Sequence, residues 1–533
     1  MKKVLLGLVI LLVFAVTAGG IWLMRVNRFQ VEGEMNLSIL DAPVEVIRDE
    51  NGIPSIFAQN TPDLLRAQGF ITAQHRLFRM EMFKYLLNGR FAEIMGEGFL
   101  DSDILFRTIW LKRNAEQHFS KLSPESRAFF THYVEGVNAY IENYKEEHPF
   151  ELSAIGLEPT PWTELDALNI MYFASFTQSR NFRTEIIAQN LIDVLGLERA
   201  QEIMPVNIGA DRAIRPRIDA VLAITSKGDQ DEGATIESVK MPAWVGLDED
   251  ALPVDSNFEN FLNIGSNNWA VAPGKSASGS AMVSNDPHVD ARMLPGMWHP
   301  VGLFSPEIRA IGGSIPGVPG LWMGRTAHVA FGITNAYGDV QDLYIETVDP
   351  EDGNRYLEGE TSHAFQVRQE TIKIKDKNAP DGYRDHMIEI RSTRRGPVIT
   401  GLLPGVVSPH VMTLRWAQAE KVGSEIGLNK LLTVHTVAEF DAAVQLIDVI
   451  MLNWVFADRS GGIGRRASGL VPKRASGDGT APYTVTSEAD NWIGYIPKDE
   501  MPGMIDPERG WVGTANHDTR PDGYDYYYSS YFS

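Results

Sequence analysis

The stretch from Asn263 to Val289, "NIGSNNWAVAPGKSASGSAMVSNDPHV", decides how the chain is read. Gly265, Ser266, Asn267 and Asn268 are turn formers, and one reading makes them a loop ahead of a strand. The other reading makes Gly265–Ser266 a bond to be cut, which leaves Ser266 as a new amino terminus. Just downstream, Trp269-Ala270-Val271 and Ala281-Met282-Val283 switch to period two and predict paired strands around a Gly/Ser-rich turn.

Further strands are expected at 367–375, 387–391 and 453–457, and "GGSIPGVPG" (312–320) reads as a constrained turn. Upstream, residues 214–263 are polar and acidic, as in "TSKGDQDEGATIESVK" and "GLDEDALPVDSN", which reads as a linker or excisable spacer. Residues 60–200 read as mainly helical. Asn60 or Thr61 caps a first helix, with Pro62 in its first turn and Asp63 near the positive end of its dipole. Leu64, Leu65, Ile71, Phe78, Met82, Phe83 and Leu86 continue at helical spacing until Gly89 stops it. Two more helices are expected to begin at Ser123-Pro124 and at Thr163. Ahead of them, Val44 and Val46 face Ile53 and Ile56 across Asn51-Gly52, a hairpin signature.

The chain opens "MKKVLLGLVILLVFAVTAGGIWLMRVNR". The apolar run from Val4 to Met24 behind two lysines is long enough to span a bilayer, and the small residues Val16-Thr17-Ala18 also suit a cleaved signal peptide. Either way the body is expected to be exported: periplasmic, or anchored to the inner membrane and facing the periplasm.

With 44% apolar and 22% charged residues the 533-residue chain is globular. Its net charge of −21 argues against a nucleic-acid partner. The absence of cysteine removes thiol catalysis, disulfides and Cys-based zinc sites. No GxSxG, SxxK, HExxH or GxxxxGK string occurs, which disfavours α/β-hydrolases, serine β-lactamases, zincins and phosphate-loop enzymes.

Several strings, in one order, resemble the penicillin acylase (penicillin amidase) family of N-terminal nucleophile hydrolases. They are "VEVIRDENGIPSIFAQN", "AQGFITAQHRLFRMEMF", "GRFAEIMGEGFLDSD", "PWTELDAL", "GSNNWAVAPGKSASG…NDPH", "IPGVPGLWMG", "FGITNAYGDVQDLY", "TRRGPVI", "NWVFADRSGGIG" and "WVGTANHDT". The resemblance implies an α+β fold, a four-layer αββα sandwich. It also implies four segments: a leader at 1–28, a helical first subunit at 37–213, a spacer at 214–265 and a strand-rich second subunit from 266 to 533. Family members continue beyond the equivalent of Ser533, so the second subunit is expected to be incomplete at its C-terminus.

The resemblance further implies self-cleavage at Gly265–Ser266, giving a heterodimer of the chain's own two pieces. A serine hydroxyl is a weak nucleophile until a base takes its proton. An amino-terminal serine carries such a base, its α-amine, with a pKa of about 7.7–8.0. Ser266 would then be both nucleophile and general base. The Asn516 side-chain amide and the backbone N–H of Asn335 fall where the family stabilises the oxyanion, and His288 where it supports the amine. Taken without the family, Asn516 reads as a turn residue and His288 as a hydrogen-bonded buried histidine.

Glu185, Asp339, the Gln341 carbonyl and Asp342 match a structural calcium site of the family, and alone they read as solvated charges. No organic cofactor is implied. Phe176, Phe182, Val289, Trp322 and Met323 match the apolar acyl pocket, and alone they read as core. Thr326 stands where the family usually has Asn. The implied activity is hydrolysis of a linear amide in a small N-acyl substrate through an acyl-Ser266 ester. The substrate is a β-lactam side-chain amide or, with a long-chain pocket, an N-acyl-homoserine lactone. A reading of another class is a truncated, non-catalytic remnant that only binds acyl compounds.

Overall fold

The computed structural model describes residues 26–179, 181–203, 265–289, 296–402, 410–475 and 477–529, with Thr17, Gly19 and Gly20. The rest of the expected leader, and the expected spacer apart from Gly265, lie outside the described residues. Among those described, no helix is long and apolar enough to cross a membrane.

The chain starts as read, with strands β1 (Glu45–Arg48) and β2 (Pro54–Phe57) paired antiparallel around Gly52 at φ +77°. Helix α1 (Thr61–Leu87) is capped by Asn60, whose side chain accepts the Asp63 N–H at 2.7 Å. Helix α2 (Pro124–Asn143) begins behind Ser123, and α3 (Glu164–Gln178) behind a Thr163–Asp166 capping box. All three starts fall where the caps and prolines predict. Helices α1 and α2 cross in close contact because glycines face each other's backbones. A Cβ on Gly69 would lie 1.9 Å from the Tyr133 carbonyl oxygen, and one on Gly136 would lie 1.8 Å from that of Arg66. Helix α4 (Phe182–Leu195) follows α3 after a sharp corner.

The second half is built of strands: β3 (Ser266–Val271), β4 (Met282–Pro287), β5 (His299–Phe304), β6 (Arg309–Ser314), β7 (Met323–Arg325), β8 (Val329–Asn335) and β9 (Gln341–Val348). A long hairpin, β10 (Gln366–Lys375) with β11 (Tyr383–Thr393), comes next. One further helix, α5 (Val437–Val444), leads into β12 (Leu452–Asp458), β13 (Ile463–Ala467) and β14 (Pro472–Arg474). The last strands are β15 (Trp492–Tyr495), β16 (Gly503–Ile505) and β17 (Trp511–Thr514). The pair expected at 269–271/281–283 and the strands expected at 367–375, 387–391 and 453–457 are all present, and the structure pairs 367–375 with 387–391 as one hairpin.

Nine strands form one sheet in the order β1-β2-β5-β6-β7-β8-β12-β13-β16, and three form a second, β17-β3-β4. Strand β12 shows how the two stack. Trp454 and Phe456 point to the helical side, where Phe456 and Trp454 meet Phe440 of α5. Val455 and Ala457 point the other way and pack with Ala270 and Val512 of the small sheet. Burial on both faces explains why "NWVFA" is a continuous apolar run and not an alternating one. Helices, large sheet and small sheet are three of the four expected layers. The outer face of the small sheet carries Trp269, Met282 and Trp511, each 42–46% exposed, and helices with stacked sheets make the expected α+β fold.

Helical layer and large sheet meet at a half-buried histidine, His75, and a buried one, His299. His75 Nδ1 of α1 lies 3.0 Å from His299 Nε2 of β5. Burial, with the charges of Arg48 and Arg76 adding to it, pulls the His75 pKa down to about 3, and His299 is lowered by burial, His75 and Arg76. Both rings are therefore neutral in the fold but would take protons in the unfolded chain below about pH 6.5. Between those limits the unfolded state binds more protons, so stability falls as pH falls, by ~1.4 kcal/mol per pH unit for each histidine. A drop in melting temperature between about pH 7.5 and about pH 5 is the expected result. Asp103, pushed up to about 6 by burial, works in the opposite sense between about pH 6 and pH 5, so a flat profile would mean that the histidine contribution does not exceed it.

Candidate active site

Strand alternation places Ser266, Asn268 and Ala270 on the inner face of β3, toward the large sheet, with Asn268 and Ala270 buried. The antiparallel register pairs Ser266 with Pro287 of β4. One residue further on, the His288 N–H donates to the Gly265 carbonyl oxygen at 3.1 Å. On the other side β17 pairs Thr514 with Asn268. Two residues beyond that pair the chain turns back through Asn516, which sits at φ +63° with its N–H on Thr514 Oγ1 at 3.2 Å. Asparagine is among the few residues that adopt this left-handed conformation readily. The turn brings its side-chain amide onto Ser266. Oδ1 accepts the Ser266 N–H at 2.5 Å, and Nδ2 donates to Ser266 Oγ at 3.2 Å.

One buried amide thus holds both polar atoms of Ser266, while a backbone donor polarises the carbonyl on the acyl side of the link. Gly265 belongs here for a steric reason, since a Cβ would stand 2.9 Å from Asn516 Oδ1. Ser266, Gly265, His288 and Asn516, far apart in sequence, are brought together. The contact from His288 to Gly265 comes from its main chain. Its half-exposed ring pairs through Nε2 with Asp286 Oδ2 at 3.1 Å.

Asn335 closes β8 and is joined to the site through amides that the sequence reading did not single out. Asn268 Nδ2 donates to the Asn453 carbonyl at 3.5 Å, and Asn453 Nδ2 to the Asn335 carbonyl at 3.2 Å. Asn285 of β4 bonds Ile333 of β8 twice, accepting its N–H at 3.2 Å and donating to its carbonyl at 2.8 Å. These bonds sew the small sheet to the large one beneath Ser266. Their only trace in sequence is asparagine at inward strand positions, where apolar residues are usual. The Asn335 side chain donates to the Gln178 carbonyl at 3.0 Å and accepts from the Tyr337 N–H at 3.0 Å. That ties the end of β8 to the end of α3.

The expected calcium ligands do cluster. Glu185 of α4 is buried and accepts the Leu343 N–H at 3.0 Å. Asp339, Gln341 and Asp342 are buried around the start of β9. They are not, however, a fit for calcium as they stand, because Arg474 of β14 lies between the carboxylates. It donates to Asp339 Oδ1 at 2.8 Å and to Asp342 Oδ2 and Oδ1 at 2.8 and 2.9 Å. Asn181 takes the Gln341 carbonyl at 2.6 Å and shares Asp339 Oδ1 at 2.7 Å, and Trp492 Nε1 takes Asp342 Oδ2 at 2.6 Å. Burial opposes the charge on Arg474, but Asp339 and Asp342 outweigh it and hold the guanidinium well above its usual pKa. Calcium binds six to eight oxygens at about 2.3–2.6 Å, and here both Asp342 oxygens, Asp339 Oδ1 and the Gln341 carbonyl already serve N–H donors.

Of the expected acyl-pocket residues, Phe176, Phe182 and Trp322 are fully buried core. The Phe176 and Phe182 rings stack at 5.8 Å, and Phe176 meets Trp416 edge-on at 5.6 Å. Met323 packs over Gly313, and Val289 lies half-buried next to His288. A cavity of about 590 Å³ opens on the helical side between Lys84, Arg107, Trp110 and Asp166, and none of the five borders it. Thr326 has a local job. Its hydroxyl accepts the N–H groups of His328 and Val329 at 3.1 and 3.0 Å and so closes the turn from β7 to β8.

A family profile described as penicillin amidase matches residues 43–533. An acyl-homoserine lactone acylase, QuiP, of Pseudomonas aeruginosa is 32% identical over 90% of this chain and 56% of its own length. Penicillin acylase 2 proenzyme of Pseudomonas sp. strain SE83 is 31% identical over 92% of this chain and 61% of its own, and penicillin G acylase of Escherichia coli 24% identical over 90% and 60%. The chain thus spans somewhat over half the length of these curated relatives. With this match running through both halves of the fold and across the Ser266 site, the chain belongs to the penicillin amidase family.

Proposed function

We propose that this chain is a self-processing amidohydrolase that cleaves linear amides of small N-acyl compounds. The observation that carries the reading is the Asn516 amide bridging Ser266 N and Oγ, with the His288 N–H on the Gly265 carbonyl. In processing, Ser266 Oγ bonds to the Gly265 carbonyl carbon and gives up its proton, which ends on the peptide nitrogen that leaves. The negative charge on that oxygen is met by the His288 N–H. The C–N bond then breaks and the nitrogen leaves as the Ser266 amine. Water hydrolyses the resulting ester and releases Gly265 as a carboxylate. The same hydroxyl next attacks the carbonyl of a substrate amide, with the new amine as base. Asn516 Nδ2 and the Asn335 N–H stabilise that second oxyanion. The amine leaves as the acyl-Ser266 ester forms, water then hydrolyses that ester, and a carboxylic acid and an amine are the products.

One relative is named a proenzyme, in line with a precursor that becomes a two-chain heterodimer. The relatives' names divide between penicillin and acyl-homoserine lactone acylases, so both acyl classes are substrates to try. The basic start and apolar run at the N-terminus support export, to the periplasm or to the outer face of the inner membrane.

The test joins two measurements on the purified protein. Amino-terminal sequencing of the larger mature fragment should begin Ser-Asn-Asn-Trp. Phenylacetyl, glutaryl and long-chain acyl amides should then be screened for amine release. Cleavage at another bond, or mature two-chain protein inactive on all three classes, would overturn the proposal.

A further inference from the structure

The Arg474 cluster has the makings of a clamp with its own cation. The side chain is 2% exposed and ends β14, which β15 holds in place by pairing Arg474 with Trp492. Its fork takes both oxygens of Asp342 and one of Asp339. This is charge-assisted, bidentate recognition, the strongest geometry a guanidinium offers a carboxylate. Gly479, at φ +78°, covers the cluster so closely that a Cβ would stand 2.6 Å from Asp342 Oδ1 and 2.7 Å from Asp339 Oδ2.

The clamp joins parts that lie on opposite sides of Gly265–Ser266. Asn181, at the corner between α3 and α4, is bonded to Asp339 and Gln341. Glu185 is bonded to Leu343, and Gln178 to Asn335. The segment 335–342, which carries Asn335, is therefore fixed from both sides of the link.

We propose that Arg474 is the resident cation of this cluster in place of a bound calcium ion, holding Asp339 and Asp342 together where Asn181, from the other side of Gly265–Ser266, bonds Asp339. A divalent ion entering beside it would meet a second positive charge in a dry site and would have to displace three N–H donors from the same oxygens. Arg474 acts here as a positioning residue, through the segment that ends in Asn335.

The test uses the purified protein and Arg474→Gln. Wild type equilibrated with calcium chloride and then dialysed into metal-free buffer without chelator should hold no stoichiometric calcium by elemental analysis. Its melting temperature should be the same with chelator as with added calcium chloride. Arg474→Gln leaves the carboxylates without their cation, so its melting temperature should fall by about 5 °C or more, and added calcium should now raise it. Arg474→Lys keeps a charge but loses the fork, and it should fall between the two. One calcium per wild-type chain, with a lower melting temperature on chelation, would overturn the proposal. So would an Arg474→Gln protein that melts like wild type. If Arg474→Gln does not fold, the wild-type calcium content and chelator response still decide the matter.

Discussion

Ser266→Ala is expected to remain a single uncut polypeptide and to release no amine from any acyl amide, while the parent protein separates into two fragments under denaturing conditions. The reason is that one atom is used twice. Ser266 Oγ is the group that attacks the Gly265 carbonyl and then the substrate, and alanine removes it while leaving the N–H that Asn516 Oδ1 accepts. The strand pairings with Pro287 and the buried neighbours Asn268 and Ala270 are untouched, so the variant should fold. Loss of a nucleophile that acts together with its base typically costs about 10⁶-fold in turnover. Here the failure to process removes the base as well, since no amine is released. An uncut parent, or a cut Ser266→Ala, would mean that Gly265–Ser266 is an ordinary turn before a strand.

Asn516→Asp is the second large effect, and it separates the two bonds of that amide. Aspartate keeps the shape, tolerates the left-handed backbone at φ +63° and retains an oxygen for the Ser266 N–H. It loses the Nδ2 donor to Ser266 Oγ and places a negative charge where an oxyanion would form. Removal of one such donor costs about 10²–10³-fold in kcat, and the added repulsion should push the loss to the upper end. Processing should suffer less, because its oxyanion, on the Gly265 oxygen, meets the His288 N–H instead. Fragment appearance on a gel and steady-state kinetics on the cut protein measure the two separately. An Asn516→Asp enzyme with unchanged kcat would remove Asn516 from the oxyanion site.

Local signals in the sequence carried the elements. The Asn60, Ser123 and Thr163 caps with their prolines and acidic first turns fixed three helix starts, and Asn51-Gly52 fixed the hairpin. Capping and turn formation are decided within a few residues, so they can be read from a few residues. The proposal that Ser266 carries the chemistry came from the resemblance of "GSNNWAVAPGKSASG" to the family, because a glycine ahead of a period-two run is by itself equally a loop before a strand.

Tertiary structure decided what surrounds that serine. The three-stranded register puts His288 and Asn516, 22 and 250 residues away, against one peptide link. The Asn268–Asn453–Asn335 chain of amides exists only because two sheets stack there. The cation among Asp339 and Asp342 is Arg474, from a strand more than 130 residues later, and no spacing rule connects them. Phe176 and Phe182 look the same in sequence whether they line a pocket or fill a core, and only the fold shows that both are buried, stacked on each other with Phe176 against Trp416. Periodicity reports which face of an element is buried, whereas partners across sheets and helices are set by packing of the whole chain.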